Sequence, residues 1–118
     1  ELIISCCEGN LENRIIEWKN KKSMCIVLCS NGYPDTYKKN IEISNLEKIT
    51  KNNNTFIYHA GTEFIDNKVH ATGGRVLNFV NISDDLKISR ELIINEIENL
   101  AWGNGFYRKD IGFRIIDK

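Results

Sequence analysis

Two adjacent glycines followed by an arginine mark the middle of the chain. Gly73 and Gly74 separate two segments that are rich in β-forming residues, and Arg75 opens the second of them. Adjacent glycines allow successive backbone N–H groups to converge on an anion, and the guanidinium adds a permanently charged, bidentate donor. The pattern can hold a phosphate, but a glycine pair between two strands is more often a plain turn, and only the neighbouring loops favour the phosphate site.

Three further loops carry residues that suit the same chemistry. They are Ser30 to Pro34, His59 to Thr62 and Phe106 to Gly112. His59 has two interpretations: it orients a substrate hydroxyl, or it holds its own loop by a hydrogen bond. Arg108 and Asp110 are close enough in sequence to pair, and we expect a structural ion pair there.

Composition excludes several classes of function. The chain has 118 residues, enough for one hydrophobic core, and its 16 basic side chains balance 16 acidic ones. Without a net charge, no overall field attracts nucleic acid or an anionic membrane, so any anion site must be local. Apolar runs such as Cys25 to Cys29 are much shorter than the roughly 20 residues that span a bilayer, and no charged-then-apolar leader opens the chain. We therefore expect a soluble, cytoplasmic protein without a membrane partner.

The four cysteines do not indicate a metal site. Cys6, Cys7, Cys25 and Cys29 contain no CxxC pair, and no histidine lies near enough in sequence to complete a zinc pattern. The spacing also does not fit a disulfide framework. We predict no bound metal in this chain.

The elements that position the loops can be read from the apolar pattern. Leu2 to Cys7 indicates the end of a helix that stops at Gly9, and Met24 to Leu28 indicates a strand covered on both faces. Asn45 is expected to cap a brief helix that runs to Lys51. Three strands should follow as an antiparallel meander: Thr55 to Ile65, Lys68 to Thr72 and Arg75 to Ile82, with a two-residue turn at Asp66-Asn67.

One long helix should lie on this meander. Ser83 to Asp85 supplies an N-cap, and apolar residues then recur at helical spacing to Ala101. Phe106 to Ile116 is expected to return as a final extended segment. The fold class that follows is α+β, an antiparallel meander with one long packed helix.

Taken in order, the four loops resemble the C-terminal region of phosphoribosylamine-glycine ligase, an ATP-grasp enzyme. The matching runs are Cys29-Ser30-Asn31-Gly32-Tyr33-Pro34, His59-Ala60-Gly61-Thr62, Gly73-Gly74-Arg75-Val76-Leu77 and Tyr107-Arg108-Lys109-Asp110-Ile111-Gly112. Two residues depart from the family pattern: Asn31 replaces a glycine, which asparagine's tolerance of left-handed backbone permits, and Lys109 replaces an arginine.

The resemblance implies an activity for a larger protein. Such ligases use ATP to join glycine to 5-phosphoribosylamine in de novo purine biosynthesis, giving glycinamide ribonucleotide, ADP and phosphate. ATP and Mg²⁺ would bind to N-terminal and central lobes that this chain lacks. Residues 1–118 would then be a single C-terminal domain resembling the rudimentary single hybrid motif, with residues 1–22 as a helix end and a connection into it.

The same resemblance implies roles for individual residues. Arg75, with Gly73 and Gly74, would bind the 5-phosphate of the substrate, and no residue of the chain is expected to be catalytic. The active-site wall would be formed by His59, Gly61, Thr62, Tyr33 and Pro34. Tyr33 and Pro34 would also fix the loop that meets the ATP-grasp lobe.

Two other functions compete with this one. The phosphate loops also suit a stand-alone binding module for a sugar phosphate or nucleotide, without catalysis. A nucleic-acid module would use Tyr107, Arg108 and Lys109, but the rest of the chain provides no matching basic stripe. We therefore expect no nucleic-acid partner.

Overall fold

The computed structural model describes residues 1–49 and 54–116. Its helices are α1 (Leu2–Glu8), α2 (Leu86–Leu100) and α3 (Phe113–Ile116), with short 3-10 turns at Leu11–Asn13 and Leu46–Lys48. Its strands are β1 (Lys22–Ser30), β2 (Ile41–Glu42), β3 (Thr55–His59), β4 (Thr62–Ile65), β5 (Lys68–Ala71), β6 (Arg75–Ser83) and β7 (Gly105–Phe106).

The strands form two antiparallel sheets. One has four strands in the order β3-β6-β1-β7, and the other has three in the order β2-β5-β4. The predicted α+β class, with antiparallel strands and one long helix, is confirmed. The connectivity differs from a simple meander, because the chain leaves the first sheet after His59, forms the β4–β5 hairpin in the second, and returns at Arg75.

Helix α2 packs on one face of the four-stranded sheet. Alternate residues of β1 point towards it, and in the antiparallel register Ile26 lies opposite Phe79 of β6. Side chains from β1, β6 and α2 form most of this core: Met24, Ile26, Leu28, Val76, Leu77, Phe79, Ile93, Ile97 and Leu100. The amphipathic period of α2 and the two-residue period of the strands produce this interface.

The opposite face of the sheet is open. Cys25 on β1 is exposed, as are Phe56 and Tyr58 on β3. The prediction that Met24 to Leu28 is covered on both faces is therefore wrong. A single helix covers the sheet, so only alternate residues of β1 are buried.

Polar contacts anchor both the start of α2 and its packing on the sheet. The Asp85 carboxylate accepts hydrogen bonds from the backbone N–H groups of Lys87 and Ile88, which confirms the predicted cap. Behind the cap, the buried Asn81 side chain accepts from the Ser89 hydroxyl at 2.8 Å and donates to Thr55 at 2.8 Å. These bonds connect α2 to both β6 and β3.

Three local expectations have different outcomes. Helix α1 ends at Gly9, which has a left-handed φ of 70°, as predicted. A brief 3-10 helix, Leu46–Lys48, does follow Asn45, but the Asn45 side chain does not cap it: the residue has a φ of 66° and its side chain donates to the Leu100 carbonyl. Lys51, the predicted end of this helix, lies outside the described residues. The final segment is not one extended strand, because β7 ends at Phe106 and the last described residues, Phe113–Ile116, form helix α3.

Candidate functional site

Two of the predicted loops cross at a pair of glycines. The Gly61 N–H donates to the Arg75 carbonyl at 2.8 Å, and the Gly61 carbonyl accepts from the N–H groups of Thr72 and Gly73 at 2.9 and 3.0 Å. A Cβ on Gly61 would lie 2.5 Å from the Gly73 Cα and 2.6 Å from the Arg75 oxygen. Only glycine permits this approach of one backbone to another.

The Ser30 to Pro34 loop packs against the same turn. Ser30 donates its N–H to the Gly74 carbonyl at 2.8 Å and its hydroxyl to the Gly73 carbonyl at 2.9 Å. The Tyr33 ring lies so close to Gly74 that a Cβ there would overlap it. The structure therefore brings Tyr33, Gly61 and the glycine pair together, as the sequence predicted.

Arg75 begins β6 beside this crossing, and its side chain is exposed. Among residues 1–49 and 54–116, the basic members of ion pairs are Lys21, Lys68 and Arg108, not Arg75. Burial raises the pKa of the Cys29 thiol, and the positive charge of Arg75 partly opposes that rise. Arg75 lies opposite Cys29 in the register of β1 and β6, and no carboxylate of the described residues forms an ion pair with its guanidinium.

The backbone donors of the turn are only partly available to an anion. The Gly73 N–H, one of the two predicted donors, is already bonded to the Gly61 carbonyl. Gly74 is buried beneath Tyr33. The arrangement leaves the Arg75 guanidinium as the main group for binding an anion.

His59 contacts its own loop. Its Nδ1 lies 2.8 Å from the Thr62 hydroxyl, and both residues are partly or fully accessible at the edge of the crossing. This contact satisfies the loop-holding interpretation of His59. A contact with a substrate hydroxyl stays a prediction.

The fourth predicted loop faces the other side of Tyr33. A cavity of about 320 Å³ lies between the Tyr33–Pro34 loop and the segment that carries Tyr107 and Arg108, with Cys29 in its wall. Tyr33 thus contacts the glycine turn and also lines the cavity. Tyr33 therefore links its own loop to the glycine turn and to the segment of Tyr107, while the His59 to Thr62 loop reaches the turn through Gly61.

Comparison with known proteins identifies the family. A family model described as "Phosphoribosylglycinamide synthetase, C domain" matches residues 23–114. The chain belongs to this family. The four-motif resemblance is thereby confirmed.

Several full-length relatives align with nearly the whole chain. Phosphoribosylamine–glycine ligase of Caldanaerobacter subterraneus is 43% identical over 94% of the chain, and 26% of that protein is covered. The ligase of Haemophilus influenzae is 34% identical over 100% of the chain, with 27% of its length covered. The chain thus spans about a quarter of these curated relatives.

A solved structure shares the fold of this ligase C domain. The crystal structure of phosphoribosylamine–glycine ligase from Thermotoga maritima superposes with a TM-score of 0.72 over 93% of this chain and 27% of that one. The sequence identity is 23%, so the likeness shows the fold alone.

Two side chains that stabilise the loops of the C domain were not predicted. Ser30 lies within a quoted motif, but its bonds to Gly73 and Gly74 follow only from the fold. Arg90 of α2 donates to the carbonyls of Lys109 and Ile111 and so fixes the last loop. Nothing in the helical pattern around Arg90 indicates this contact.

Asn31 and the Arg108–Asp110 pair complete the site. Asn31 does not use left-handed backbone; its side chain donates to the Gly103 carbonyl at 3.1 Å. Arg108 binds both carboxylate oxygens of Asp110, at 3.1 and 2.8 Å, which confirms the predicted ion pair. The hydrogen bond from Arg108 lowers the pKa of the Asp110 carboxyl.

Across the part of the chain that the structure describes, His, Cys, Asp and Glu side chains form no group of three or more that could hold a metal ion. None of the helices in that part has the length and apolar character that crossing a bilayer requires.

Proposed function

We propose that this chain is the C domain of an ATP-dependent ligase that joins glycine to 5-phosphoribosylamine in de novo purine biosynthesis. Membership of the C-domain family and the names of the full-length relatives support the proposal. This domain, with residues 1–22 as a helix end and a connection into it, would act together with the N-terminal and central lobes of the same polypeptide.

The chemistry requires activation of a carboxylate. A free carboxylate is a poor acyl donor because it has no good leaving group. ATP therefore first phosphorylates the glycine carboxylate, with release of ADP, and the amine of phosphoribosylamine then displaces phosphate to form the amide. ATP and Mg²⁺ bind in the other lobes, where Mg²⁺ neutralises phosphate charge. The C domain supplies no catalytic residue in this scheme and binds the sugar-phosphate end of the substrate.

Arg75 is the proposed phosphate ligand. The observation that carries this role is an exposed guanidinium, without an ion-pair partner among the described residues, where the His59 to Thr62 loop crosses the glycine turn. A planar guanidinium matches a phosphate in a bidentate geometry. Gly73 and Gly74 place the guanidinium beside the ligand instead of donating to it, because the Gly73 N–H is bonded to the Gly61 carbonyl and Gly74 is buried beneath Tyr33.

The surrounding loops form the wall of this proposed site. Tyr33 and Pro34 lie on one side of the glycine turn, and His59, Gly61 and Thr62 lie on the other. We further propose that the enzyme works in the cytoplasm; the free thiols of all four cysteines fit a reducing compartment.

Kinetics of the complete ligase test the role of Arg75. Arg75→Ala should weaken binding of phosphoribosylamine by about 2 kcal/mol, which corresponds to a roughly 30-fold rise in its KM. The KM of Arg75→Lys should lie between those of the wild type and Arg75→Ala, because lysine keeps the positive charge but lacks the planar guanidinium that binds phosphate in a bidentate geometry.

The matched control is Arg114→Ala, which removes another exposed arginine, and it should leave the KM unchanged. An unchanged KM in Arg75→Ala, with the protein folded, would contradict the assignment. A complete polypeptide that binds the sugar phosphate but forms no amide would instead favour the non-catalytic module.

A further inference from the structure

Large apolar side chains are unusually exposed near the start of the chain. Half of the exposed large hydrophobic side chains in the described residues lie between residues 2 and 18. They are Leu2, Ile3, Ile4, Leu11, Ile15, Ile16 and Trp18. Ile15 is 89% exposed and Trp18 87%, so they have almost no contact with the rest of the domain. Clustered exposure of this kind marks an interaction surface.

Residues 2–18, which we call the N-terminal arm, nevertheless fold back on themselves. The Asn10 N–H donates to the Ser5 carbonyl at 3.0 Å beyond the left-handed Gly9. Arg14 donates from Nε to the Ser5 hydroxyl at 2.8 Å, and Ser5 is fully buried beneath this contact. The first part of the arm, residues 2–14, therefore has a defined local structure, and Ile15 to Trp18 extend from it with their apolar side chains exposed.

Helix α1 is unsuited to stand in water alone. It has seven residues, of which only Ser5 and Glu8 are polar, and its principal contact in the chain is the turn at Leu11–Asn13. Isolated helices shorter than about 12 residues are marginal in water. Helices that are apolar all round are normally buried in a core.

The family comparison indicates where the covering surface comes from. The C-domain model begins at residue 23, after the arm, whereas similarity to the full-length Haemophilus influenzae ligase covers the whole chain. The arm is therefore a shared part of the ligase that lies outside the C domain. About three quarters of that relative has no counterpart in this chain, since 27% of it is covered.

We propose that the N-terminal arm docks through its apolar side chains into the upstream lobe of the ligase and belongs to that lobe's core. The inference rests on the proposed assembly of this domain with the other lobes. It predicts that Trp18 and Ile15 are buried in the complete enzyme. The C domain proper would then begin at β1.

Hydroxyl-radical footprinting of the complete ligase tests the docking. Mass spectrometry gives a protection factor for each side chain as the ratio of its labelling rates in urea and in buffer. Trp18 should be protected to nearly the same degree as Trp102, which is 7% exposed, and at least tenfold more than Phe64, which is 70% exposed. A Trp18 protection factor equal to that of Phe64 would overturn the proposal.

A second copy of the protein is the competing occupant. The footprint is therefore repeated at concentrations at which sedimentation shows only monomer. Protection that persists in the monomer supports docking within one polypeptide, and protection that disappears on dilution refutes it. The Arg75→Ala kinetics are independent of this result, so failure of the docking and failure of the substrate assignment are distinguishable.

Discussion

The helix-covered core and the crossing of the site loops are held together in different ways. In the core, side chains such as Phe79, Ile26 and Ile93 fill the space between α2 and the sheet. At the crossing, Gly61 and Gly73 have no side chain, and the backbones touch directly. A core of side chains relaxes only in part when a side chain is removed, and a cavity remains. Two backbones in contact instead leave no room for an added side chain. The core therefore depends on the side chains that fill it, whereas the site depends on the absence of side chains at Gly61 and Gly73.

The largest expected effect is in the core. Phe79→Ala should lower the free energy of unfolding of the chain by about 4 kcal/mol, because Phe79 is fully buried and its loss leaves a cavity. Urea denaturation measures the change. Phe56→Ala, on the open face where Phe56 is 40% exposed, should cost much less. Equal losses for the two variants would show that both faces are covered and would break the comparison.

A smaller but more specific effect is expected at the crossing. Gly61→Ala adds one methyl group against the Gly73 Cα and the Arg75 oxygen, and should destabilise the chain by about 3 kcal/mol. Gly103→Ala is the matched control, since its Cβ would meet nothing within 4 Å, and its effect should stay within about 0.5 kcal/mol. Urea denaturation measures the free energy of unfolding of both variants. Equal values for Gly61→Ala and Gly103→Ala would show that the backbones are not in contact at the crossing.

The smallest expected loss sharpens the difference between backbone and side-chain neighbours. A Cβ on Gly74 would meet the Tyr33 ring, which can move aside, so Gly74→Ala should cost about 1.5 kcal/mol. In a Tyr33→Ala background the same change should cost less than about 0.5 kcal/mol. A double-mutant cycle of Gly74→Ala and Tyr33→Ala measures the coupling free energy. If the two losses of stability are additive, Tyr33 does not contact Gly74.

Regular elements near the core could be predicted because local pattern determines them. The apolar spacing of Leu86 to Leu100 and the Asp85 cap define α2, and Gly9 ends α1 at a left-handed residue. The Asp66-Asn67 turn is also local: both residues have a positive φ, at 49° and 60°. In each case neighbouring residues carry the whole signal.

Long-range pairing could not be predicted in the same way. Thr55 to Ile65 was read as one strand, yet the chain passes between sheets at Gly61, because β3 pairs with β6 and β4 pairs with β5. Both pairings suit the same β-forming residues, and only the complete fold chooses between them.

The site was predicted as a set of loops but not as a geometry. Their motifs pointed to a shared location, and the structure brings Tyr33, Gly61 and Gly74 into one contact region. The hydrogen bond from the Gly73 N–H to the Gly61 carbonyl could not be predicted, because it depends on how the two loops cross. Arg90 was missed for the same reason, since its partners are distant backbone carbonyls.

The central claim is that Arg75, placed by the glycine crossing, binds the 5-phosphate of the substrate. A crystal structure of the complete ligase with glycinamide ribonucleotide bound tests it most directly, through the distance from the Arg75 guanidinium to the nearest phosphate oxygen. We expect a bidentate contact at about 2.8 Å. A phosphate held by other residues, with Arg75 in solvent or paired with a carboxylate, would contradict the account.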